Sequence, residues 1–572
     1  MTQHTDSGAL SSLSRLALHW VSGYDRGSLR PDVLAGLAVA GLVVPEAIAY
    51  AGIAGVPPAA GLVSAAAGLL LFGVVGTSRH LAVSPTSASA VTLAASVAPL
   101  AAGSVDRYAA LASATAALVG VLFLIGGRLR LGFLSDFIAR SVLKGFTFGL
   151  ALTIISRQLP TLLGTHATSG DFLTRLVAAF TDGDGPHPPT VLLSSAALLF
   201  LFFIAPRLGK VPPALSCLVA GLAVGGWLPA ERFGIHTVGA EIASVPLPGL
   251  PAVGWTELMA LLPAAFGVSL LLLIESTGSA RTFASRGGYE VDANRDMTGL
   301  ALANLGSAVT RGIVVGGGLS ATAANHAAGA RTQLAGIVAG ALSVLSLVAF
   351  LPYFRHLPEA ILGAIVVHAV WHLLDVKTLR EMSRVRRRSI TDALVALVGV
   401  LVFGILQGLL VAVTFSLVLL MQRISFPRFS VLGRLPGTHT FVSMADHPNA
   451  EPVPGLLIVR PDGMVFFANA NRMRLAVLDY VRQAMPKPAC VIIDNEMVPD
   501  LDMTSVDALS MLFESLRADG IVLRVARVRE PVWEMLKRTG LAARIGRENL
   551  FWTMSDAADA PLPARRTEGS GA

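Results

Sequence analysis

Apolar residues run through most of this chain in long stretches, and the polar positions that interrupt them are few. A helix needs roughly 20 apolar residues to cross a bilayer. By that measure candidate spans fall near residues 31–50, 58–76, 84–102, 107–126, 133–158, 188–206, 211–229, 257–280, 296–310, 318–335, 336–353, 357–375, 388–403 and 405–422, fourteen in all. One stretch departs from this pattern. Between Arg311 and Leu334 the β-branched run Ile313, Val314, Val315 suits an extended segment, and Gly316, Gly317 and Gly318 cannot continue a helix cheaply. Ser320 to Ala330 then reads as a helix of small residues, with Ser320 or Gly318 as its N-cap. A matching break lies earlier, where Arg79 to Val83 leads into Ser84, Pro85 and Thr86. There Ser84 suits an N-cap and Pro85 the first helical position. Non-helical backbone at membrane depth is tolerated where it lines a cavity or is buried in protein. The free N–H groups of a half-helix attract anions. Interrupted segments at corresponding places in two halves of a chain point to a transporter site built from inverted repeats. The competing explanation is that small residues merely let two membrane helices pack closely.

After Ile424 the pattern changes. Pro427 to Pro454 reads as a polar, Pro- and Gly-bearing connector, Gly455–Arg460 and Met464–Ala468 as strands, and Asn471–Gln483 as a helix. Cys490–Asp494 follows as a buried strand, Ser505–Ala518 as a helix, Ile521–Ala526 as a strand and Pro531–Thr539 as a helix stopped by Gly540. Alternating strands and helices give a small α/β domain. The expected organisation is a lead-in over 1–28, a transmembrane domain over 29–424, a linker over 425–454, the α/β domain over 455–557 and a disordered tail over 558–572.

Composition agrees with a membrane protein. The chain has 572 residues, 53% hydrophobic and 14% charged, with a mean hydropathy of +0.65. Soluble domains carry about 25% charged residues. The net charge of +7 sits largely in one set of loops, including Arg79, Arg128, Arg281, Arg286, Arg331 and the run Arg384 to Arg388. The positive-inside rule places those loops and both termini in the cytoplasm. In a soluble protein that charge would suggest acidic partners; here it is expected to reflect cytoplasmic loops, and no nucleic-acid partner is expected. Cys217 and Cys490 lie in different regions and form no disulfide framework. The sequence shows no metal-ligand cluster, nucleophile elbow or phosphate loop, so no enzymatic machinery is visible.

Several groups resemble a known family. Pro45 to Ala51 with Ala54 to Pro58, Gly76 to Leu81, Gly145-Phe146 with Gln158 to Pro160, Asn294 to Asp296 with Ala303-Asn304, and Ser320 to Asn325 with Gly329 to Thr332 look like signatures of the sulfate permease (SulP) family of anion transporters. Asp494, Asp500 to Thr504 and Gly540-Leu541 look like the core of that family's C-terminal STAS domain. The resemblance covers about Leu29 to Ala557. It implies fourteen segments in a seven-plus-seven inverted repeat, divided into core and gate, a homodimer, and an anion site between the third and tenth half-helices. Carried onto this chain, that site is Ser84, Pro85 and Thr86 facing Gly318, Leu319, Ser320, Ala321 and Thr322. It also implies secondary-active transport across the inner (plasma) membrane by an elevator movement. Sulfate is the default substrate, with bicarbonate, a C4-dicarboxylate and chloride as alternatives.

An ionisable group inside a membrane segment is a functional candidate in its own right. Glu275 is such a group, and Ser279 one turn on shares its face. The resemblance implies that this position holds a coupling cation, H+ or Na+. Glu46, where relatives frequently carry Gln, is a candidate proton site or a neutral structural carboxyl. His326 reads as a packing residue, and Lys144 and Arg140 as snorkelling cations. Thr504 stands where stand-alone STAS proteins carry a phosphorylatable hydroxyl. The plainer reading of Asp502 to Ser505 is an N-cap. Some relatives carry Arg directly after the serine of the tenth segment; here the residue is Ala321. Beside transport, the sequence leaves open a membrane anion sensor signalling to a protein partner through the STAS domain. A nucleobase carrier on the same fold is disfavoured by the STAS signatures.

Overall fold

The computed structural model describes residues 20–101, 104–137, 140–165, 172–181, 185–208, 212–227, 230–238, 248–371, 373–385 and 387–561. The chain divides into two units, Met1–Ser416 and Leu417–Ala572.

In the first unit α1 (Leu29–Ala54) ends at Gly55, whose left-handed backbone (φ 73°) lets its N–H close the last turn. The helix α2 (Pro58–Val75) starts on a proline, which loses no helical hydrogen bond there. The strand β1 (Val83–Ser84) then precedes α3 (Ser87–Ala101), α4 (Val105–Arg128), α5 (Arg140–Leu163), α6 (Phe172–Thr181), α7 (Pro188–Leu199) and α8 (Pro213–Trp227). The second half runs through α9 (Trp255–Gly287), α10 (Ala293–Val309), β2 (Gly316–Gly317), α11 (Leu319–Ala327), α12 (Leu334–Phe350), α13 (Glu359–Trp371), α14 (Val376–Val385), α15 (Arg387–Phe403) and α16 (Ile405–Ser425). Among the described residues seven helices are long and apolar enough to cross a membrane, with six shorter apolar helices beside them. Each of the fourteen expected segments meets a helix, but not each is a full span. At about 1.5 Å per residue, α3 with 15 residues and α11 with 9 fall short of a hydrocarbon core of about 30 Å.

Packing sorts these helices into two bundles. In one, α10 lies against α2 and α4, α12 against α1 and α2, and α9 against α3, α4 and α11. In the other, α5 packs on α13 and α15, and α13 on α7 and α8. Contacts of α1 with α8 and α13, and of α3 with α5, join the two. Glycines set the closest approaches. A Cβ at Gly145 of α5 would overlap the carbonyl of Ala393 on α15. Lys144, expected to snorkel, pairs with Asp375 at 3.3 Å, and the Arg140 side chain lies outside the described residues. The lead-in is anchored where it is described: Trp20 donates its indole N–H to the Gly73 carbonyl at 3.0 Å.

The second unit is a five-stranded sheet in the order β4-β3-β5-β6-β7, built from β3 (Phe429–Arg434), β4 (Phe441–Ser443), β5 (Leu456–Pro461), β6 (Cys490–Asp494) and β7 (Val522–Ala526). The strands β5, β6 and β7 are parallel, and β3 pairs antiparallel with both β4 and β5. The helices α17 (Ala470–Gln483), α18 (Met503–Ala518), α19 (Glu530–Arg538), α20 (Leu541–Ile545) and α21 (Met554–Asp559) complete it. Two expectations are corrected here. The supposed linker 425–454 contains β3 and β4; its Gly and Pro residues mask two short strands, and Gly433 lies so close to the Glu451 carbonyl that a Cβ would sit at 2.8 Å. Met464–Ala468 is no strand. The N–H of Phe466 is taken by Asn469 Oδ1 at 3.0 Å and that of Phe467 by Asp502 Oδ2 at 2.7 Å, so neither is left for a ladder. The tail expected from Ala558 is ordered as far as it is described, because buried Arg524 donates to the carbonyls of Ala557 and Pro561 at 2.9 and 2.6 Å. Residues 562–572 lie outside the described residues. Burial pushes the Cys490 thiol up to about 11, which leaves it a packing residue.

The glycine contact makes the packing testable. Gly145→Leu forces α5 and α15 apart, an overpacking cost of about 1–3 kcal/mol, and is expected to lower the thermal unfolding midpoint of the purified protein. Gly52→Ala, in α1 with open space at the Cβ position, is expected not to lower it. Equal midpoints for both variants would refute the account.

Candidate functional site

The two broken segments meet as antiparallel strands, Val83 opposite Gly317 and Ser84 opposite Gly316. Neighbouring helices satisfy the backbone around this short bridge. Asn304 of α10 accepts from the Val315 N–H at 3.0 Å and donates to its carbonyl at 2.9 Å. Ser307 donates to the Ile313 carbonyl (2.5 Å), and Ser64 of α2 accepts from the Ile313 N–H (2.7 Å). Ser276 of α9 accepts from the Gly317 N–H at 2.8 Å. In a bilayer interior, backbone groups left without such partners would each cost several kcal/mol. Ser64, Ser276 and Ser307 escaped the sequence reading. Their one signal is a hydroxyl within an apolar helix. The glycines serve close packing: a Cβ at Gly317 would stand 2.5 Å from Leu81 Cδ1, and one at Gly316 would overlap the Leu272 side chain.

Each strand leads into a half-helix. The helix α3 begins at Ser87, later than expected, because Ser84 belongs to β1 and the N-cap is Thr86. The Thr86 hydroxyl accepts from the Ser89 N–H at 3.2 Å, and the Ser89 hydroxyl accepts from the Thr86 N–H at 3.1 Å, a reciprocal capping box. The helix α11 starts at Gly318 with no side-chain cap. Its ends therefore differ in chemistry: the α3 end is occupied by its own side chains, and the α11 end is not.

Between these ends lies a cavity lined by Glu46, Tyr50, Ser84, Pro85, Thr86, Ser87, Glu275, Gly318, Leu319, Ser320 and Ala321, with Ala369 and Leu373 from the other bundle. About 30 Å³ of it is within reach of a water-sized sphere. Among the described residues no Lys, Arg or His lines it. Two carboxylates do, and each accepts from a hydroxyl at one half-helix start: Thr86 Oγ1 to Glu275 Oε2 at 3.2 Å, and Ser320 Oγ to Glu46 Oε1 at 3.4 Å. Tyr50 and Ser87 were not anticipated.

Two expected site residues lie elsewhere. Thr322 is fully buried; it donates to the Gly318 carbonyl (2.6 Å) and accepts from the Ala82 N–H (3.2 Å), fastening α11 to the strand before α3. Ser279 is buried one turn beyond Glu275 and does not line the cavity; Thr86 partners Glu275 instead. Ser279 lies on the same face as Glu275, but one turn, about 5.4 Å, further along α9. In the second unit Asp502 is the N-cap of α18, accepting from the Ser505 N–H at 2.8 Å, and Thr504 is exposed in the first turn.

Paired broken segments that open into half-helices inside a bundle of apolar helices are the arrangement expected of a multi-pass membrane transporter. The sequence matches the sulfate permease family over residues 29–418 and the STAS domain over residues 447–557. The chain belongs to the sulfate permease family, whose members are transporters and not enzymes. It is 36% identical over 537 residues to a Mycobacterium tuberculosis protein named "Probable sulfate transporter", covering 94% of this chain and 96% of the relative. It is 28% identical over 562 residues to the high affinity sulfate transporter 2 of Stylosanthes hamata, covering 94% and 85%. Among solved structures, the inward-facing murine Solute Carrier 26 family member A9 anion transporter superposes with a TM-score of 0.89 at 20% identity, over 98% of this chain and 97% of that one. The transmembrane domain of the cyanobacterium bicarbonate transporter BicA gives 0.61 at 23% identity, over 68% and 98%. At these identities the likeness is one of fold.

The capping geometry yields a direct test. Thr86→Val keeps the shape but removes the cap of α3 and the Glu275 partner, at about 1 kcal/mol for the cap. It is expected to lower the thermal midpoint and weaken anion binding measured by calorimetry, with Thr86→Ser restoring both. A Val variant indistinguishable from the parent would rule out the role.

Proposed function

We propose that this protein carries an inorganic oxyanion, sulfate first, across the plasma membrane by secondary-active transport coupled to H+ or Na+. The supporting observation is the cavity in which two half-helix starts face each other and two carboxylates occupy the hydroxyls there. An oxyanion is an acceptor for many hydrogen bonds, and Thr86, Ser320, Ser84 and the uncapped amides of Leu319 and Ser320 offer donors. Among the described residues no cationic side chain lines the cavity, and Ala321 supplies none where some relatives have Arg. The positive charge must then arrive with the substrate. A proton or Na+ on Glu275 removes its negative charge and frees the Thr86 hydroxyl, so the anion and the coupling cation enter together. Glu46 opposite Ser320 is a second place for a proton. Thr322 acts by holding α11 in place.

Lining by Ala369 and Leu373 of the second bundle supports an elevator: sliding one bundle past the other would open the cavity on alternate sides. The family resemblance supports a homodimer and cytoplasmic termini. The relatives' names favour sulfate, and the same donors would accept bicarbonate, a C4-dicarboxylate or chloride.

The deciding experiment is uptake of labelled sulfate, bicarbonate and succinate into proteoliposomes under imposed H+ or Na+ gradients. Uphill uptake of one anion on one gradient is expected in the parent. Glu275→Gln is expected to abolish the gradient dependence while anion-for-anion exchange continues. Unchanged cation-driven uptake in that variant would remove Glu275 from coupling. Binding without flux of any anion would instead favour a sensor.

A further inference from the structure

A second, larger cleft of about 890 Å³ opens on the first unit, away from the substrate cavity. The two share no lining residue. Its walls include Trp20, Arg79, His80, Tyr289, His326 and Arg331. We infer that this cleft is a second anion site, for a phosphate-bearing small molecule or headgroup, and that its occupancy is felt at the substrate cavity.

Two guanidinium groups are presented on fixed backbone. Arg331 follows a loop pinned by Asp32, which accepts from the N–H groups of Arg331 (2.7 Å) and Thr332 (3.0 Å) and from the Thr332 hydroxyl (2.6 Å). Arg79 lies 5.0 Å over the ring of Tyr289, whose hydroxyl is held by His80 Nδ1 at 3.0 Å. Neither arginine forms an ion pair with a carboxylate among the described residues. The cleft also contains two carboxylates, Asp25, which accepts from the Gly27 N–H at 3.0 Å, and Glu290; both are exposed, so water and salt screen their opposing charge. Among the described residues the buried Nδ1 of His326 has no hydrogen-bond partner, and that ring packs edge-on against His80 at 4.8 Å. A guanidinium is a planar donor fork that suits phosphate, and two of them, both exposed, line this cleft. The volume lies within the range of small-molecule sites. These arginines also belong to the loops that the charge bias assigns to the cytoplasm, where phosphorylated metabolites are abundant.

Coupling follows from shared segments. Arg79 and His80 lead directly into β1, and Gly329 to Arg331 directly follow α11. Asn325 of α11 donates to the His80 carbonyl at 2.9 Å, and His80 Nε2 meets the Ala330 carbonyl at 3.0 Å. A ligand drawing Arg79 and Arg331 together therefore loads the two segments that carry Thr86 and Ser320.

The test uses the full-length protein carrying Ser320→Ala, so that the substrate cavity is weakened and its failure is read separately through sulfate binding. ATP and inorganic phosphate are titrated calorimetrically in detergent, and thermal midpoints are compared in micelles doped with phosphatidylglycerol or phosphatidylcholine. At least one of ATP, phosphate or phosphatidylglycerol is expected to give a signal that falls tenfold or more in Arg79→Gln/Arg331→Gln. The probe that responds names the source. Arg331→Lys, which keeps charge but not the fork, is expected to recover part of it, and this separates ligand recognition from misfolding. If all three probes behave alike in the parent and the double glutamine variant, the cleft is not an anion site. On the Ser320 background, the parent's sulfate affinity should also shift when the responding probe is present; an unchanged affinity would refute the coupling.

Discussion

The site rests on one constraint: peptide groups at membrane depth must find hydrogen-bond partners within the protein. Two stretches here leave the helical conformation, and they answer the constraint together. The strands pair with each other, and Ser64, Ser276, Asn304 and Ser307 take up backbone groups around them. Almost every polar residue buried near the crossing is assigned to a backbone partner. Glu46 and Glu275 are different: among the described residues each accepts from a hydroxyl at a half-helix start. The polar residues of the crossing therefore fall into two groups, those that make irregular backbone affordable and those that face the cavity.

That division explains why the cavity combines anion-attracting helix ends with acidic side chains and no basic ones. A fixed arginine would hold an anion by its own charge, without a coupling cation. A carboxylate on the same hydroxyls works the other way, since it opposes the anion until a cation cancels it. In the proposed mechanism selectivity and coupling reside in the same few atoms, and the hydroxyl of Thr86 is the point where they compete.

Much of this was legible in the sequence, for physical reasons that differ by residue. The run Ile313 to Gly318 announces a break because β-branched residues followed by glycines are poor helix formers. The parallel strands Leu456–Pro461, Cys490–Asp494 and Val522–Ala526 read well because strands buried on both faces are continuously apolar. Phe429–Arg434 was lost because its strand character is short and set among glycines and prolines. Ser84 and Thr86 are both good caps, and which one serves is decided by pairing with Gly316, a partner more than two hundred residues away. Ser279 shares a helix face with Glu275, but the approach of Thr86 from another helix selects the neighbour, and no local pattern encodes it.

Thr322 has a consequence of its own. Its hydroxyl joins Gly318 to Ala82, and with the bridge and Asn325 it welds both half-helices into one block. Under the proposed elevator such a block is uncovered rather than flexed open, so an anion meets the same atoms from either side of the membrane and direction is left to the gradients.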